Sequence, residues 1–376
     1  MGNVKNEIGK EEITVLYDYQ AFHTQRFGGI SRYFFELLTR MSGAKTVVSL
    51  KFSMNRYIDT YQGKSHISVP VRLFKIFGGM FRKMNRACSL STIRKGNFDI
   101  FHPTYYDPYF LEALGNKPFV LTIHDMTHER FPQHFSEKDR TAVNKRLLAE
   151  RAKRIIAISE STKKDILEFY PDLDESKIDV VYHGIGHTPI AEGRPRGLPE
   201  KYILYVGERR RYKNFENTAK AFSEVHKVHN DCYLVLTGRP VSETEASLFT
   251  SLGVSDYVKA YTDMSDEVLY QLYHHATLFV YPSLYEGFGI PILEAFSQDC
   301  PVVLSNASCF PEVAADAGEY FEPLDVSAQV KALLHVMDDD EYRQELIAKG
   351  RERVAKFTWD ETARQTRLSY EAMLRS

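Results

Sequence analysis

The chain has no long apolar run. Nothing in its 376 residues approaches the roughly 20 consecutive apolar residues that a membrane-spanning helix requires, so no span is expected. The opening MGNVKNEIGKEE is too polar for a secretory signal, and Asn6 stands where a myristoylation signal after Met1-Gly2 would carry Ser or Thr. These deficits predict a cytoplasmic chain. Cysteine is scarce as well: Cys88, Cys232, Cys300 and Cys309 form no Cys-x-x-Cys pair, and reduced, mostly buried thiols are expected in that compartment. A net charge of -2 gives no reason to expect nucleic acid as a partner.

One local deficit is sharper. From Thr60 to Phe98 there is no acidic residue, while Lys64, Arg72, Lys75, Arg82, Lys83, Arg86, Arg94 and Lys95 are cationic. Leu73, Phe74, Ile76, Phe77, Met80, Phe81 and Met84 lie among them. A basic, aromatic-rich stretch suits the interface of an anionic membrane, so peripheral contact with the inner face of the plasma membrane is expected; the alternative is a solvated face over an ordinary core.

What the chain does have centres on LFVYPSLYEGFGIPILEAF, Leu278 to Phe296. Leu278 to Tyr281 reads as a buried strand, Pro282 to Tyr285 as a turn, Gly287-Phe288-Gly289 as a glycine loop, and Ile290-Pro291 as a helix start, where proline suits because the first N–H groups lack partners. A strand, a glycine loop and a helix N-terminus in series aim backbone N–H groups and a positive dipole end at whatever lies above, and phosphate is the usual guest. Glu286 and Glu294 flank that site and would repel a diphosphate on contact. Glu294, one turn into the helix, can accept from ribose hydroxyls, and Glu286, in the loop, is nearer a sugar. The alternative is that both are ordinary helix-start carboxylates.

Two acids with seven residues between them, Gly-Phe-Gly inside and Pro-Ile-Leu before the second, resemble the signature of family 4 retaining glycosyltransferases, built on the GT-B fold. That resemblance orders the remaining signals. ITVLYDYQ (Ile13 to Gln20) reads as a strand, and Gly28-Gly29 opens the helical pattern GGISRYFFELLTRM; by resemblance this Gly-Gly loop faces the donor diphosphate. FDIFHP and PFVLT read as strands, with His124-Asp125 at the end of the second. The resemblance puts His124 over the donor sugar, with Asp125 as a candidate to orient it and His102 as a weaker candidate. After the strand YILYVG the chain runs Glu208-Arg209-Arg210-Arg211-Tyr212-Lys213-Asn214; Arg209 and Lys213 are taken for the phosphates, although Tyr212 stands where the family more often has arginine. Ser305 and Asn306 are candidates to line the site, the backbone after Lys259 or Ala260 is where the family grips the base, and Glu312 reads as a capping carboxylate. Asp172-Leu173-Asp174 lies in a polar loop and reads as a turn rather than a metal motif, so no metal site is expected.

The expected fold class is therefore α/β: a GT-B arrangement of two doubly wound Rossmann-like domains facing a deep cleft. Residues 1–186 are expected to form the acceptor-side domain, the Pro- and Gly-rich 187–200 a linker, 201–357 the nucleotide-sugar domain, and 358–376 a helix packed back on the first domain. The resemblance implies transfer of a sugar from a nucleoside-diphosphate donor to a glycan or lipid-linked acceptor with retained α configuration and no metal or other cofactor. Glu286, His124, Arg209 and Lys213 are the expected catalytic groups, and Gly28, Gly29, Gly287, Phe288, Gly289, Ile290 and Glu294 the donor-binding ones. GDP-mannose is the first candidate donor, because the His-Asp and Tyr-Lys-Asn variants look like those of bacterial mannosyltransferases; UDP-sugars follow. A nucleotide-sugar epimerase and a catalytically silent sugar-nucleotide-binding protein are the alternatives.

Overall fold

A computed structural model describes residues 13–63, 66–186, 189–209 and 211–375. The chain divides into two compact units. The first combines the residues through Ile158 with Asp165–Val181 and the segment from Trp359 onward; the second combines Ser159–Lys164 with Tyr182–Thr358.

In the first unit, β1 (Ile13–Tyr17), β2 (Ala44–Val48), β5 (Ile100–His102), β6 (Val120–Ile123), β7 (Arg154–Ala157) and β8 (Ile178–Val180) are all paired in parallel, in the orders β2-β1-β5 and β6-β7-β8. A parallel bridge from Phe101 to Phe119 continues β5 toward β6, while β3 (Phe52–Ser53) and β4 (Ile67–Ser68) pair apart. The central strands β5, β6 and β7 are buried, largely apolar runs, VLTI and RIIA among them, as parallel strands covered on both faces should be. The helix Gly29–Arg40 buries Tyr33, Phe34, Leu37 and Leu38, one stripe at helical spacing, into the same core as Trp359, Ala363, Tyr370 and Met373 of the helix Trp359–Arg375. The strand expected from Ile13 to Gln20 stops at Tyr17. Asp18 ends it by turning inward, accepting from Thr104 Oγ1 at 2.6 Å, Thr104 N at 2.9 Å and Gln20 Nε2 at 2.8 Å.

A polar chain runs through this core. Tyr17 and Tyr370 share a hydroxyl contact of 2.9 Å; Tyr370 reaches His102 Nδ1 at 2.6 Å; His102 Nε2 reaches Thr122 at 2.9 Å; and Thr122 meets the Tyr33 hydroxyl at 3.2 Å. Each buried polar group thereby keeps a partner, and the C-terminal helix is tied to β1, β5 and β6.

The second unit holds β9 (Tyr202–Tyr205), β10 (Tyr233–Thr237), β11 (Val258–Tyr261), β12 (Leu278–Tyr281), β13 (Val302–Ser305) and β14 (Gly318–Phe321) in one parallel sheet, ordered β11-β10-β9-β12-β13-β14. The chain winds outward from β9 through β10 and β11, then returns beside β9 with β12. The order reverses there, and the loops after β9 and β12 leave the sheet side by side.

The expected domain limits shift. The division falls at Val181, and the interval expected to be a linker belongs to the second unit. His187 and Thr188 lie outside the described residues; from Pro189 on, the segment is stitched down by Ala191 N to Gln298 Oε1 at 2.8 Å, Gln271 Nε2 to Glu192 O at 2.6 Å and Lys259 Nζ to Gly197 O at 3.0 Å. Proline and glycine removed regular structure there without removing packing, because the segment's N–H and carbonyl groups found side-chain partners.

Candidate active site

The second unit's site forms where the sheet order reverses. After β9 the chain makes a short 3-10 turn, Arg211–Lys213, and Leu284 N, from the loop after β12, donates to Tyr212 O at 2.8 Å. That bond sets the two loops side by side and brings Lys213 Nζ to 2.5 Å from Glu286 Oε1, with both side chains more than four-fifths buried. Glu286 is held on every side: the buried Tyr281 phenol bonds its carboxylate, its carbonyl accepts from Ser308 Oγ at 2.5 Å, and its N–H donates to the same oxygen at 3.3 Å. Burial first, and the Glu286 charge second, push the Tyr281 phenol well above its usual range, so it stays a proton donor.

Beyond Glu286 the glycine loop turns into the helix Ile290–Ser297, one residue earlier than the proline suggested. Gly289 sits at φ 92°, the left-handed region, and a Cβ there would stand 3.1 Å from Ile292 Cδ1 and 3.2 Å from the Phe310 ring. The Gly287 carbonyl is pinned by Ser159 Oγ at 2.7 Å and Thr162 Oγ1 at 3.2 Å, and the Phe288 ring is buried against His183 and Phe357. At the helix start Pro291 has no N–H to leave unpaired and Ile292 N donates to Gly289 O at 2.9 Å, while the Ile290 N–H lies before the first intrahelical bond, where no carbonyl one turn back is positioned to accept it. Glu294 lies one turn on, receiving the Tyr273 hydroxyl at 3.4 Å.

The Glycosyltransferase Family 4 model matches residues 27–188, and that of Glycosyl transferases group 1 matches residues 190–353, so that between them they take in both units. This is a family 4 glycosyltransferase. It is 28% identical over 373 residues to the O-antigen chain mannosyltransferase B of Escherichia coli, with 92% of this chain and 96% of that one covered. Its fold is GT-B: sucrose-phosphate synthase from Thermosynechococcus elongatus superposes with a TM-score of 0.74 at 20% identity, covering 97% of this chain and 99% of that one. HepE from Anabaena, solved in complex with UDP and glucose, gives 0.73 at 17% identity, over 96% and 100%.

In this glycosyltransferase Arg209 is placed differently from Lys213. Its guanidinium is fully buried, paired with Glu245 at 2.8 Å and donating to the carbonyls of Thr237 at 3.1 Å, Arg239 at 2.7 Å and Pro240 at 2.9 Å. The residue expected beside the phosphates thus braces the loop after β10, and Lys213 alone of the two is joined to Glu286. Arg210 lies outside the described residues, as does Lys64.

In the first unit His124 follows β6, its ring edge-on to Tyr33 at 5.3 Å and near Phe34 at 6.1 Å. Both aromatics stand on the helix that Gly28 and Gly29 open, so the structure brings the two expected donor-side features of this unit together. Gly28 is extended at φ 169°, and Gly29 has open space around it. Burial lowers the His124 pKa to about 4, with Lys145 adding to the effect against Asp125, and the imidazole is neutral at pH 7. The Asp125 carboxylate accepts from Thr127 N at 2.8 Å, and its carbonyl takes Lys145 Nζ at 2.8 Å. Burial pushes that carboxyl up, but the Lys145 charge and the Thr127 N–H outweigh it and hold it below the usual range. His102, the weaker candidate, is a core residue with both ring nitrogens engaged, and burial lowers its pKa to about 3.

The remaining expectations sort by geometry. Ser305 Oγ donates to Ser283 O at 2.5 Å and is buried, and Glu312 accepts from Glu160 N at 2.6 Å and Ser161 N at 3.1 Å, a capping contact. Asp174 caps Ser176 N at 2.9 Å, and Asp172 is exposed beside Arg146. No group of three or more His, Cys, Asp or Glu side chains is placed to hold a metal among the described residues. Sequence reasoning missed Tyr281 and Ser308. Tyr281 ends a buried strand five residues before Glu286, and a polar-tipped aromatic at such a strand end was the available signal.

Proposed function

We propose that this glycosyltransferase moves a hexose, mannose from GDP-mannose before others, onto a hydroxyl of an acceptor glycan during synthesis of a bacterial surface polysaccharide such as lipopolysaccharide. The acceptor is a free or lipid-linked glycan, and transfer takes place in the cytoplasm, keeps the α configuration and uses no metal. The observation that carries the reading is the Lys213–Glu286 contact of 2.5 Å beside a glycine-lined helix start. The likeness to an O-antigen chain mannosyltransferase supports the sugar and the acceptor class, and the UDP and glucose held by HepE support a nucleotide-sugar donor.

In this scheme the donor pyrophosphate rests on the amides of Gly287, Phe288, Gly289 and Ile290, and Lys213 meets the charge that grows on it as the anomeric C–O bond lengthens. Donors fixed before the reaction cost no reorganisation when that charge develops. Glu294 takes the ribose hydroxyls. Glu286 holds a sugar hydroxyl instead of attacking the ring, since a loop adjoining the phosphate cradle reaches the leaving-group face, and a nucleophile would need the opposite one. The acceptor hydroxyl enters on that same face, its oxygen bonds the anomeric carbon, and its proton passes to the departing phosphate oxygen. His124, neutral at pH 7, serves the sugar as a hydrogen-bonding dipole.

The test is nucleoside-diphosphate release from GDP-mannose and UDP-sugars with and without a mannan acceptor, followed by NMR of the product's anomeric proton. Acceptor-dependent release of GDP with an α-linked product supports the reading. Donor consumed without acceptor to an isomerised sugar would move the protein to the epimerases, and binding with no release would make it a silent binder.

A further inference from the structure

Most of the acid-free stretch is one helix, Val71–Lys95, and it has three faces. Phe74, Phe81, Asn85, Ser89 and Ile93 turn inward. Asn85 fastens the helix to the strand β3 segment, accepting from Lys51 N at 3.0 Å and Phe52 N at 2.8 Å and donating to Phe52 O at 2.8 Å. A second face is apolar but outward: Leu73 is 47% exposed, Ile76 71%, Phe77 45% and Met80 50%. Their spacing of i, i+3, i+4 and i+7 makes one stripe about 10 Å long, rotated about a third of a turn from the inward face. Arg72, Lys75, Lys83 and Arg86 fill the remaining arc, all exposed. Among the described residues Arg72, Lys75 and Lys83 form no salt bridge with a carboxylate.

A monomer that exposes four large apolar side chains in one stripe has left them for something. The charge beside them says what. A second copy of this chain would set cation against cation, whereas an anionic bilayer takes the stripe into its acyl boundary and the ammonium and guanidinium groups onto its phosphates. We infer that the first half of the helix Val71–Lys95 docks this protein flat on an anionic lipid bilayer, with Leu73, Ile76, Phe77 and Met80 inserted and Arg72, Lys75 and Lys83 on the headgroups. Arg94 and Lys95 lie about 20 Å beyond Met80 along the axis, on a helix rising about 1.5 Å per residue, and fall outside the apolar stripe. The Asn85 bonds hold the stripe outward before any lipid is met, so no folding is required on binding.

Sedimentation with vesicles tests this. The full chain is expected to pellet with phosphatidylglycerol-phosphatidylcholine vesicles at low salt, to stay in the supernatant with phosphatidylcholine alone, and to be released at high salt. Arg72→Glu with Lys75→Glu and Lys83→Glu should lower the bound-to-free ratio by roughly a hundredfold or more, at about fivefold per cation lost. Leu73→Ser with Ile76→Ser should lower it about tenfold or more with the charge unchanged. Thermal unfolding of both variants is expected to match the wild type, since all five side chains are exposed. A chain that remains in the supernatant at low salt, pellets equally with neutral lipid, or binds undiminished in the charge-reversed variant overturns the inference. So does a lipid-free dimer that the same substitutions dissolve, or an acidic protein that competes the vesicles away. The assay reads no sugar transfer, so its failure and that of the transferase reading are separable.

Discussion

Lys213 Nζ and Glu286 Oε1 lie 2.5 Å apart although 73 residues separate them in the chain. The parallel sheet makes them neighbours: β9 and β12 are adjacent only because the winding order reverses between them, and each residue stands in the loop that leaves the carboxyl end of one of these strands. The pair neutralises itself in a mostly buried place, and under the proposed function a donor phosphate arriving there shares the lysine without a new cation having to be desolvated.

Glu286→Gln preserves the shape and loses the charge, and Lys213→Ala loses the cation. Each is expected to lower turnover by about a hundredfold or more, the scale of losing one fixed donor at a developing charge. The double variant should fall little further, because residues acting as one unit are not additive. Rates of nucleoside-diphosphate release check this, with thermal unfolding as the control, and a wild-type rate in either single variant removes the assigned role.

Arg209→Met should act on stability. It strands part of Glu245, whose carboxyl Arg209 helps hold below its usual range against burial. Arg239 still reaches Glu245 at 2.7 Å, so the cost should be about 2 kcal/mol, short of the roughly 3–5 kcal/mol of an isolated broken pair. Urea unfolding measures it. Unchanged stability with a raised donor KM would return Arg209 to the phosphates.

Gly289→Ala forces a left-handed backbone on a residue with a Cβ, at roughly 1–2 kcal/mol, and crowds Ile292 and Phe310 as well. The loop is expected to relieve this by shifting the amides at the helix start. Melting temperature should fall by a few degrees, and the thermal shift given by GDP should shrink in the same variant. A full GDP shift in the variant would separate the helix start from donor binding.

Three buried histidines set an acid limit. Burial lowers His23 and His124 to about 4 and His102 to about 3, so the folded chain refuses protons that the unfolded chain accepts near 6.5. Stability from these groups is complete above pH 6.5 and is lost as pH falls toward 4, each costing up to about 1.4 kcal/mol per pH unit in that window. Urea unfolding at pH 7, 6 and 5 is expected to show the decline, and His102→Gln should reduce its slope by one proton whatever it does to the absolute stability.

The parts of the site that were readable early are those in which local chemistry leaves few options. Gly287-Phe288-Gly289 reads as a glycine loop, the proline after Ile290 suits a helix start, and acids flank them, so the order of strand, loop, helix and carboxylates followed from the string of residues. Arg209 was not readable in that way. Three arginines in a row announce a charge, but which of them is free depends on where the loop after β10 brings the carbonyls of Thr237, Arg239 and Pro240, and those lie about 30 residues away. His102 and His124 look alike at the ends of neighbouring strands, and that both ring nitrogens of His102 are taken, by Thr122 and by Tyr370 from the far end of the chain, is visible only in the fold. The supposed linker failed for a related reason: glycine and proline report on backbone freedom, not on whether Gln271, Lys259 and Gln298 lie within reach.

By its residues alone this protein was committed to alternating parallel strands and helices, to a glycine loop leading into the helix Ile290–Ser297, and to a cationic, apolar stretch between Thr60 and Phe98. Periodicity and backbone sterics act over a few residues, and so they can be read along the chain. The tertiary structure decided which charges are spent on the protein itself and which remain at the site, and that the apolar side chains of the helix Val71–Lys95 divide between core and surface. Those outcomes depend on what other segments bring to each group, because burial and hydrogen-bond partners are properties of the folded neighbourhood and not of the residue.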